Sequence, residues 1–162
     1  MKALYILIDS STKPERKGKS KYGCSAAFWC AIPDDIKSQP CSMGIILREK
    51  EGPNKIFYDG VISALIACEK YREWKMSVKI MGDNDHVIKQ LKGNRRVFEL
   101  KPYHARVREL ESRYVAKIEY EYISESDTIY KSVDELAKWA KVCVPQLYNK
   151  KTRPSSKAQI SR

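Results

Sequence analysis

The sequence predicts a single α/β domain in which a mixed five-stranded sheet is covered by helices. Three observations support this class. Three apolar segments stand first in the chain, two further strand-like segments come later, and stretches with helical spacing of apolar residues separate or follow those two. The chain has 162 residues, 43% hydrophobic and 31% charged, which suits one core and is too short for a second full domain.

The first three strands are predicted at residues 3–9, 23–32 and 42–48. These apolar segments are separated by connections rich in charged residues, glycine or proline. Strands that follow one another in this way usually pair as an antiparallel meander.

The second half of the chain predicts helices alternating with two more strands. The segment 61–74 has apolar residues three or four positions apart, and 117–123 alternates strictly between apolar and polar side chains. Gly93 is expected to end a short helix. The predicted elements are helix 61–74, strand 77–81, helix 85–91, helix 102–114, strand 117–123 and helix 133–142, all within a domain spanning residues 1–146. Residues 147–162 are polar and basic and are predicted to form a disordered tail.

The formal charge of +11 is concentrated in a few segments. Residues 12–22 contain five basic side chains and one acidic one, and residues 149–162 contain five basic and no acidic side chains. Such runs are either solvated loops or arms that contact phosphate groups.

Three aspartates occupy positions that are unsuited to packing in a hydrophobic core. Asp9 follows the first apolar strand, Asp83 follows the fourth strand, and Asp134 opens the last helix. Carboxylate oxygens are the ligands that Mg²⁺ prefers, so these positions suggest a metal site. In a basic protein, a metal-binding cluster of acids points to phosphodiester chemistry and favours the phosphate-contact interpretation of the basic segments.

Other features narrow the cellular context. No apolar run approaches the length of a membrane span, and the N-terminal apolar run is too short for a secretory signal. The five cysteines show no metal-ligand spacing and are predicted to be reduced and mostly buried. We therefore expect an intracellular protein, cytoplasmic or nuclear and not secreted, that is monomeric and has no membrane partner and no small-molecule cofactor.

The element order and two motifs resemble type 1 ribonuclease H and related plant and retroelement domains. The motifs are GDNDHVIKQLKG at 82–93 and VDELAKWA at 133–140, and the resemblance covers roughly residues 3–143. The first segment matches less well, because it has Asp9-Ser10-Ser11 where the family usually has Asp-Gly-Ser. The resemblance implies a ribonuclease H-like fold, with three antiparallel strands, then two parallel ones, and helices on both faces.

The resemblance also implies an endonuclease that hydrolyses the RNA strand of RNA–DNA hybrids with two Mg²⁺ or Mn²⁺ ions. Asp9, Asp83 and Asp134 would be three of its four acidic ligands. The family places a glutamate in the first helix, in a context such as Asn-x-Ala-Glu, where an ungapped match puts Gly60 or Val61. The nearest carboxylate is Asp59, which is either the fourth ligand or the N-cap of the helix.

The expected partner is an RNA–DNA hybrid or another duplex nucleic acid. Ser10, Ser11 and Asn84 are placed to donate hydrogen bonds to 2′-hydroxyl or phosphate groups. Four cations following the short helix region, Lys89, Lys92, Arg95 and Arg96, are candidate phosphate contacts. Two alternatives stay open: a catalytically degenerate domain of viral or retroelement origin that only binds nucleic acid, and a nuclease of the same fold acting on DNA, such as a junction resolvase.

Overall fold

The computed structural model describes residues 3–12, 24–31, 42–48, 51–73, 75, 77–124, 126, 131 and 133–140. Five strands form one sheet: β1 (Ala3–Thr12), β2 (Cys24–Ala31), β3 (Ser42–Arg48), β4 (Ser77–Gly82) and β5 (Ile118–Tyr122). Their order is β3-β2-β1-β4-β5, with β3, β2 and β1 antiparallel and with β4 and β5 parallel to β1. The predicted sheet is confirmed.

Four helices cover this sheet: α1 (Pro53–Ala67), α2 (Asp85–Leu91), α3 (Lys101–Glu111) and α4 (residues 133–140). The first three share the larger hydrophobic core on one face. That core takes alternate side chains of β1, and its buried members include Leu4, Ile6 and Ile8 from β1, Phe57, Val61 and Leu65 from α1, Val87, Ile88 and Leu91 from α2, and Val107 and Leu110 from α3. The predicted helices on both faces are confirmed, because α4 lies on the other side.

The helix α4 covers the opposite face of the sheet. Its Val133 and Ala137 are fully buried in a second cluster that contains Leu7 of β1 and Met81 of β4. The hydroxyl of Ser25 donates a 2.8 Å hydrogen bond to the carbonyl oxygen of Ala137, which ties the helix to β2. Alternation along β1 and β4 puts Asp9 on the same face as Leu7, and Asp83 on the same face as Met81.

The start of α1 differs from the prediction. The helix begins at Pro53, with Gly52 as its N-cap, rather than at residue 61. Gly60 is inside this helix and packs closely on β1, since an added Cβ would lie 3.0 Å from Ile8 Cγ2. Asp59 is therefore inside the helix, and the interpretation of Asp59 as its N-cap is wrong.

The remaining boundaries shift by a few residues at most, apart from the end of α1. That helix ends at Ala67 and a 3-10 turn follows at Glu69–Tyr71, so the predicted helix 61–74 is too long at its end. The predicted stop at Gly93 is confirmed, because this residue has a φ of 81° directly after α2. None of the helices in the described part of the chain has the length and apolar character needed to cross a bilayer. The predicted tail, 147–162, and residues 13–22 of the first basic segment lie outside the described residues.

Candidate active site

Two of the predicted aspartates lie at neighbouring positions where the paired part of β1 and β4 ends. The parallel register of β1 and β4 runs to the pair Ile8 and Gly82, so Asp9 and Asp83 are the next residues on neighbouring strands. Adjacent strands are about 5 Å apart, and both side chains start on the face that α4 covers. Asp9 is 3% exposed, and in the described part of the chain only Ser25 and Gln90 are buried polar residues like it.

The third aspartate, Asp134, lies in the first turn of α4. It directly follows Val133, which packs near Leu7 and Met81, two residues before Asp9 and Asp83 respectively. One carboxylate oxygen of Asp134 accepts a 2.6 Å hydrogen bond from the Lys138 ammonium one turn later. Asp134 thus shares a face of the sheet with the other two aspartates, and its charge is balanced within its own helix.

The α1 residues nearest the end of β4 are Asn54 and Phe57. The Asn54 side chain accepts a 3.1 Å hydrogen bond from the Asn84 amide. The Phe57 ring is fully buried against Gly82, since a Cβ on that glycine would lie 2.4 Å from Phe57 Cζ. The ungapped match put the family's glutamate position at Gly60 or Val61, but Gly60 lies against Ile8 and Ala26; counted from Asn54, the context Asn-x-Ala-Glu puts that position at Phe57, the residue that contacts Gly82.

The proposed fourth ligand, Asp59, is directed elsewhere. Its carboxylate accepts a 3.1 Å hydrogen bond from the guanidinium of Arg48, at the end of β3. The strand β3 is separated from β4 by β2 and β1. Asp59 therefore forms an ion pair at the far side of β1 and β2 from Asp83.

These positions decide how far the donor set fits a divalent metal. Two carboxylates from neighbouring strands, Asp9 and Asp83, have the oxygen chemistry that suits Mg²⁺ or Mn²⁺. In the parts of the chain that the structure describes, however, no three acidic, histidine or cysteine side chains come together as a metal-binding group. The described residues therefore offer the two carboxylates of Asp9 and Asp83, which are fewer than a two-ion site needs, and α1 adds no acid to them.

Asn84 connects the aspartates to α2. It is the N-cap of α2, where its side-chain oxygen accepts a 3.0 Å hydrogen bond from the backbone N–H of Val87. Its amide nitrogen is the donor to Asn54. Asn84 therefore fixes the chain direction after Asp83, while Ser10 and Ser11, its predicted companions in substrate binding, are partly buried on β1.

A pocket of about 330 Å³ lies beyond this asparagine pair. Two of the predicted phosphate contacts, Arg95 and Arg96, line it, and both are exposed. Of the other two, Lys92 is exposed just after α2, and Lys89 forms a 2.7 Å ion pair with Asp85. The remaining lining residues are Asn54, His86, Gln90, Phe98, Glu99 and Leu100.

The floor of this pocket is held by the buried Gln90. Its side-chain oxygen accepts a 3.1 Å hydrogen bond from the hydroxyl of Tyr58, whose pKa is raised to about 12 by burial. Its amide nitrogen lies 3.1 Å from His86 Nε2 and donates to the carbonyl oxygen of Arg96 at 3.3 Å. These bonds connect α1 and α2 to the segment that carries Arg95 and Arg96, and they hold that side of the pocket in place.

Sequence reasoning missed Asn54 and Phe98 as residues of this region. Asn54 stands in the first turn of α1, which the prediction placed outside the helix. Phe98 is 71% exposed, which is unusual for a large aromatic side chain, and it stands next to the two arginines. The sequence signal for Phe98 was a phenylalanine within a short basic segment, which is typical of nucleic-acid-binding surfaces.

The fold is shared with solved structures of ribonuclease H. No family model and no curated protein sequence matches the chain. The ribonuclease H domain at the N-terminus of Rv2228c from Mycobacterium tuberculosis is 18% identical, with a TM-score of 0.73, and the match covers 90% of this chain and 98% of that one.

Two ribonucleases H1 are similar at the same level. The enzyme from the archaeon Halobacterium salinarum is 19% identical, with a TM-score of 0.67 and coverage of 85% of this chain and 96% of that one. A compost-metagenome enzyme, solved in complex with an RNA/DNA hybrid, gives the same identity, TM-score and coverage. At such identities the likeness concerns the architecture, and this chain has a ribonuclease H-like fold.

Proposed function

We propose that this protein is a metal-dependent endonuclease of the ribonuclease H type, which hydrolyses the RNA strand of RNA–DNA hybrids. The observation that carries the proposal is the register of the parallel strands β1 and β4, in which Asp9 and Asp83 are the residues that follow the paired Ile8 and Gly82. Ligands of open α/β sheets bind beyond the carboxyl ends of the parallel strands. The ribonuclease H-like fold supports the same function, and so does the arginine-lined pocket, whose Asn54 is hydrogen-bonded to Asn84, the residue after Asp83.

Asp9 and Asp83 would hold a divalent ion, and Asp134 would add a carboxylate from α4. When bound, such an ion supplies a water of lowered pKa and stabilises negative charge on the departing oxygen. The resemblance to type 1 ribonuclease H also implies a second ion, and Phe57 stands at the α1 position from which an acidic ligand for it would come.

The side chains around the aspartates would bind and orient the hybrid. Arg95, Arg96 and Lys92 carry exposed positive charges next to the site and would contact phosphate groups without reading sequence. Asn54 and Asn84 would present amide groups to 2′-hydroxyls, which distinguish RNA from DNA. The exposed ring of Phe98 offers a surface on which a base can stack.

A second candidate function, binding of the hybrid without cleavage, is favoured by α1. Its residue beside Gly82 is the apolar Phe57, and its only carboxylate, Asp59, is held by Arg48. A site short of one acidic ligand holds its metal less firmly, so the fold would then serve as a nucleic-acid-binding module.

Hybrid cleavage measured separately with Mg²⁺ and Mn²⁺, alongside hybrid binding, tests the two functions. We expect Asp9→Asn to abolish cleavage and Asp59→Asn to leave it near the wild-type level, with binding retained by both variants. Binding by the wild type without turnover in either metal would reject the nuclease and support the binding module.

The variant Phe57→Glu then tests the role of α1. If the missing acid limits the reaction, Phe57→Glu raises cleavage above that of Phe57→Gln, which has the same shape without the charge. Equal activity of these two variants would contradict the importance assigned to α1. A circular-dichroism melting curve for each variant controls for the loss of a buried aromatic ring, which costs about 3–5 kcal/mol when the ring is truncated to alanine.

A further inference from the structure

Two buried thiols meet on the side of the sheet that α1 covers. Cys30 belongs to β2, and Cys68 is the C-cap of α1. Their sulfur atoms are 3.0 Å apart, and both residues are fully buried. Cys30 is paired with Ile6 in the register of β1 and β2, whereas Asp9 is paired with Ala27, so the thiols are separate from the candidate active site.

The surroundings of the two thiols favour redox chemistry over metal binding. Within the described residues, no acidic, histidine or cysteine side chain joins them to form a three-ligand metal group. The pKa of Cys68 is lowered because the Cys30 side chain hydrogen-bonds to it, which outweighs the opposing effect of burial. A thiolate is the reactive form of cysteine, so this lowering suits Cys68 to the role of the attacking sulfur.

A tyrosine closes the space around these sulfurs. The hydroxyl of Tyr114 donates a 2.6 Å hydrogen bond to the carbonyl oxygen of Leu65, one turn before Cys68. The pKa of Tyr114 is raised by burial and further by the negative charge of the neighbouring thiolates. Because both cysteines are fully buried, the oxidant for this pair must be small.

We propose that Cys30 and Cys68 form a reversible intramolecular disulfide when the protein is exposed to hydrogen peroxide. The Cys68 sulfur attacks one peroxide oxygen, the O–O bond breaks, and the other oxygen leaves as water with the thiol proton. The product is a sulfenic acid on Cys68. The Cys30 sulfur then attacks the Cys68 sulfur, the S–O bond breaks, and a second water leaves with the Cys30 proton.

The net reaction converts two thiols and one peroxide into one disulfide and two waters. The sulfurs lose two electrons, and the peroxide gains them. From their present separation the sulfurs must approach by roughly 1 Å to reach the bond length of about 2.05 Å. A dithiol reductant reverses the reaction by thiol–disulfide exchange.

The disulfide would fasten the end of α1 to β2. The cysteines are 38 positions apart, and the loop they close contains β3 and all of α1. Closing a loop of this length restricts the unfolded chain, so oxidation is expected to raise the melting temperature by about 10 °C.

The test uses the full chain, treated with increasing equivalents of hydrogen peroxide. The protein is then denatured without reductant, its remaining thiols are alkylated with iodoacetamide, and its peptides are mapped by mass spectrometry. We expect a peptide pair linked through Cys30 and Cys68, a higher melting temperature, and the return of both properties to their starting values with dithiothreitol.

The variant Cys24→Ala is the matched control. Cys24 is also a buried thiol of β2, and its sulfur donates to the carbonyl oxygen of Arg48 at 3.2 Å. Its replacement should leave the cross-link and the temperature shift intact, whereas Cys30→Ala should remove both. Alkylation of Cys30 and Cys68 after peroxide treatment, or linkage of either to another cysteine, would overturn the proposal even if Cys30→Ala fails to fold.

Discussion

The contact between Gly82 and Phe57 predicts that Gly82→Ala damages both the fold and the site. The added Cβ would be 2.4 Å from Phe57 Cζ and 2.8 Å from the backbone oxygen of Ile8. Carbon atoms in contact prefer about 3.5–4.0 Å, so the ring or a strand must move by roughly 1 Å. Phe57 is fully buried and Ile8 belongs to the central strand, so neither moves freely. Overpacking of this kind costs about 1–3 kcal/mol.

The free energy of unfolding, measured with urea, gives the first readout for Gly82→Ala. A fall of about 1–3 kcal/mol corresponds to a melting temperature lower by about 2–4 °C for each kcal/mol. Because Asp83 follows Gly82 directly, a 1 Å displacement is expected to reduce hybrid cleavage by about 10²-fold. The second readout is therefore the cleavage rate at saturating Mg²⁺.

The control for this variant is Gly52→Ala. Gly52 has no atom within 4 Å of its added Cβ and has an extended backbone, with φ −69° and ψ 153°, that alanine adopts readily. Its replacement affects only the N-cap of α1 and should cost less than about 1 kcal/mol. Equal losses of unfolding free energy in Gly82→Ala and Gly52→Ala would refute the reasoning.

Three further predictions concern the same part of the fold. Asn84→Ala removes the helix cap that accepts a 3.0 Å bond from the Val87 N–H, so the free energy of unfolding in urea should fall by about 0.5–2 kcal/mol, whereas Asn84→Asp should retain the cap. Asp59→Asn breaks the half-exposed ion pair with Arg48, and it should lower the same quantity by only about 0.2–1 kcal/mol, an effect that 1 M salt reduces. The pKa of His104 is lowered below 6.5 by burial and by a nearby arginine, so the unfolded chain binds the proton more readily than the folded protein does. The free energy of unfolding should therefore fall as the pH drops from 6.5 through the folded-state pKa. The melting temperature of His104→Gln, measured over the same pH range, should change less with pH than that of the wild type.

Local patterns predicted the elements whose signals lie within a few residues. The boundaries of α2 agree with the prediction, because Asn84 caps its start and Gly93 permits the left-handed turn after its end. β3 also agrees, since the apolar run Ile45, Ile46 and Leu47 lies within it. The start of α1 was missed because the helical spacing of apolar residues that predicted it was followed only from Val61 onward, whereas the helix begins at Pro53.

The amino-acid sequence by itself determined the α/β class, the order of the elements, and the position of Asp83 directly after β4, because strand and helix periodicity and the placement of glycine and proline are local properties. It placed Asp9 at the end of β1, whereas β1 continues to Thr12 through its pairing with β2. Only the tertiary structure decided which side chains of α1 reach those aspartates. It turns Phe57 and Asn54 toward β4 and leaves Asp59 with Arg48 on β3. The direction of each helical side chain depends on where the helix begins and how it is rotated on the sheet, and packing between distant segments fixes both.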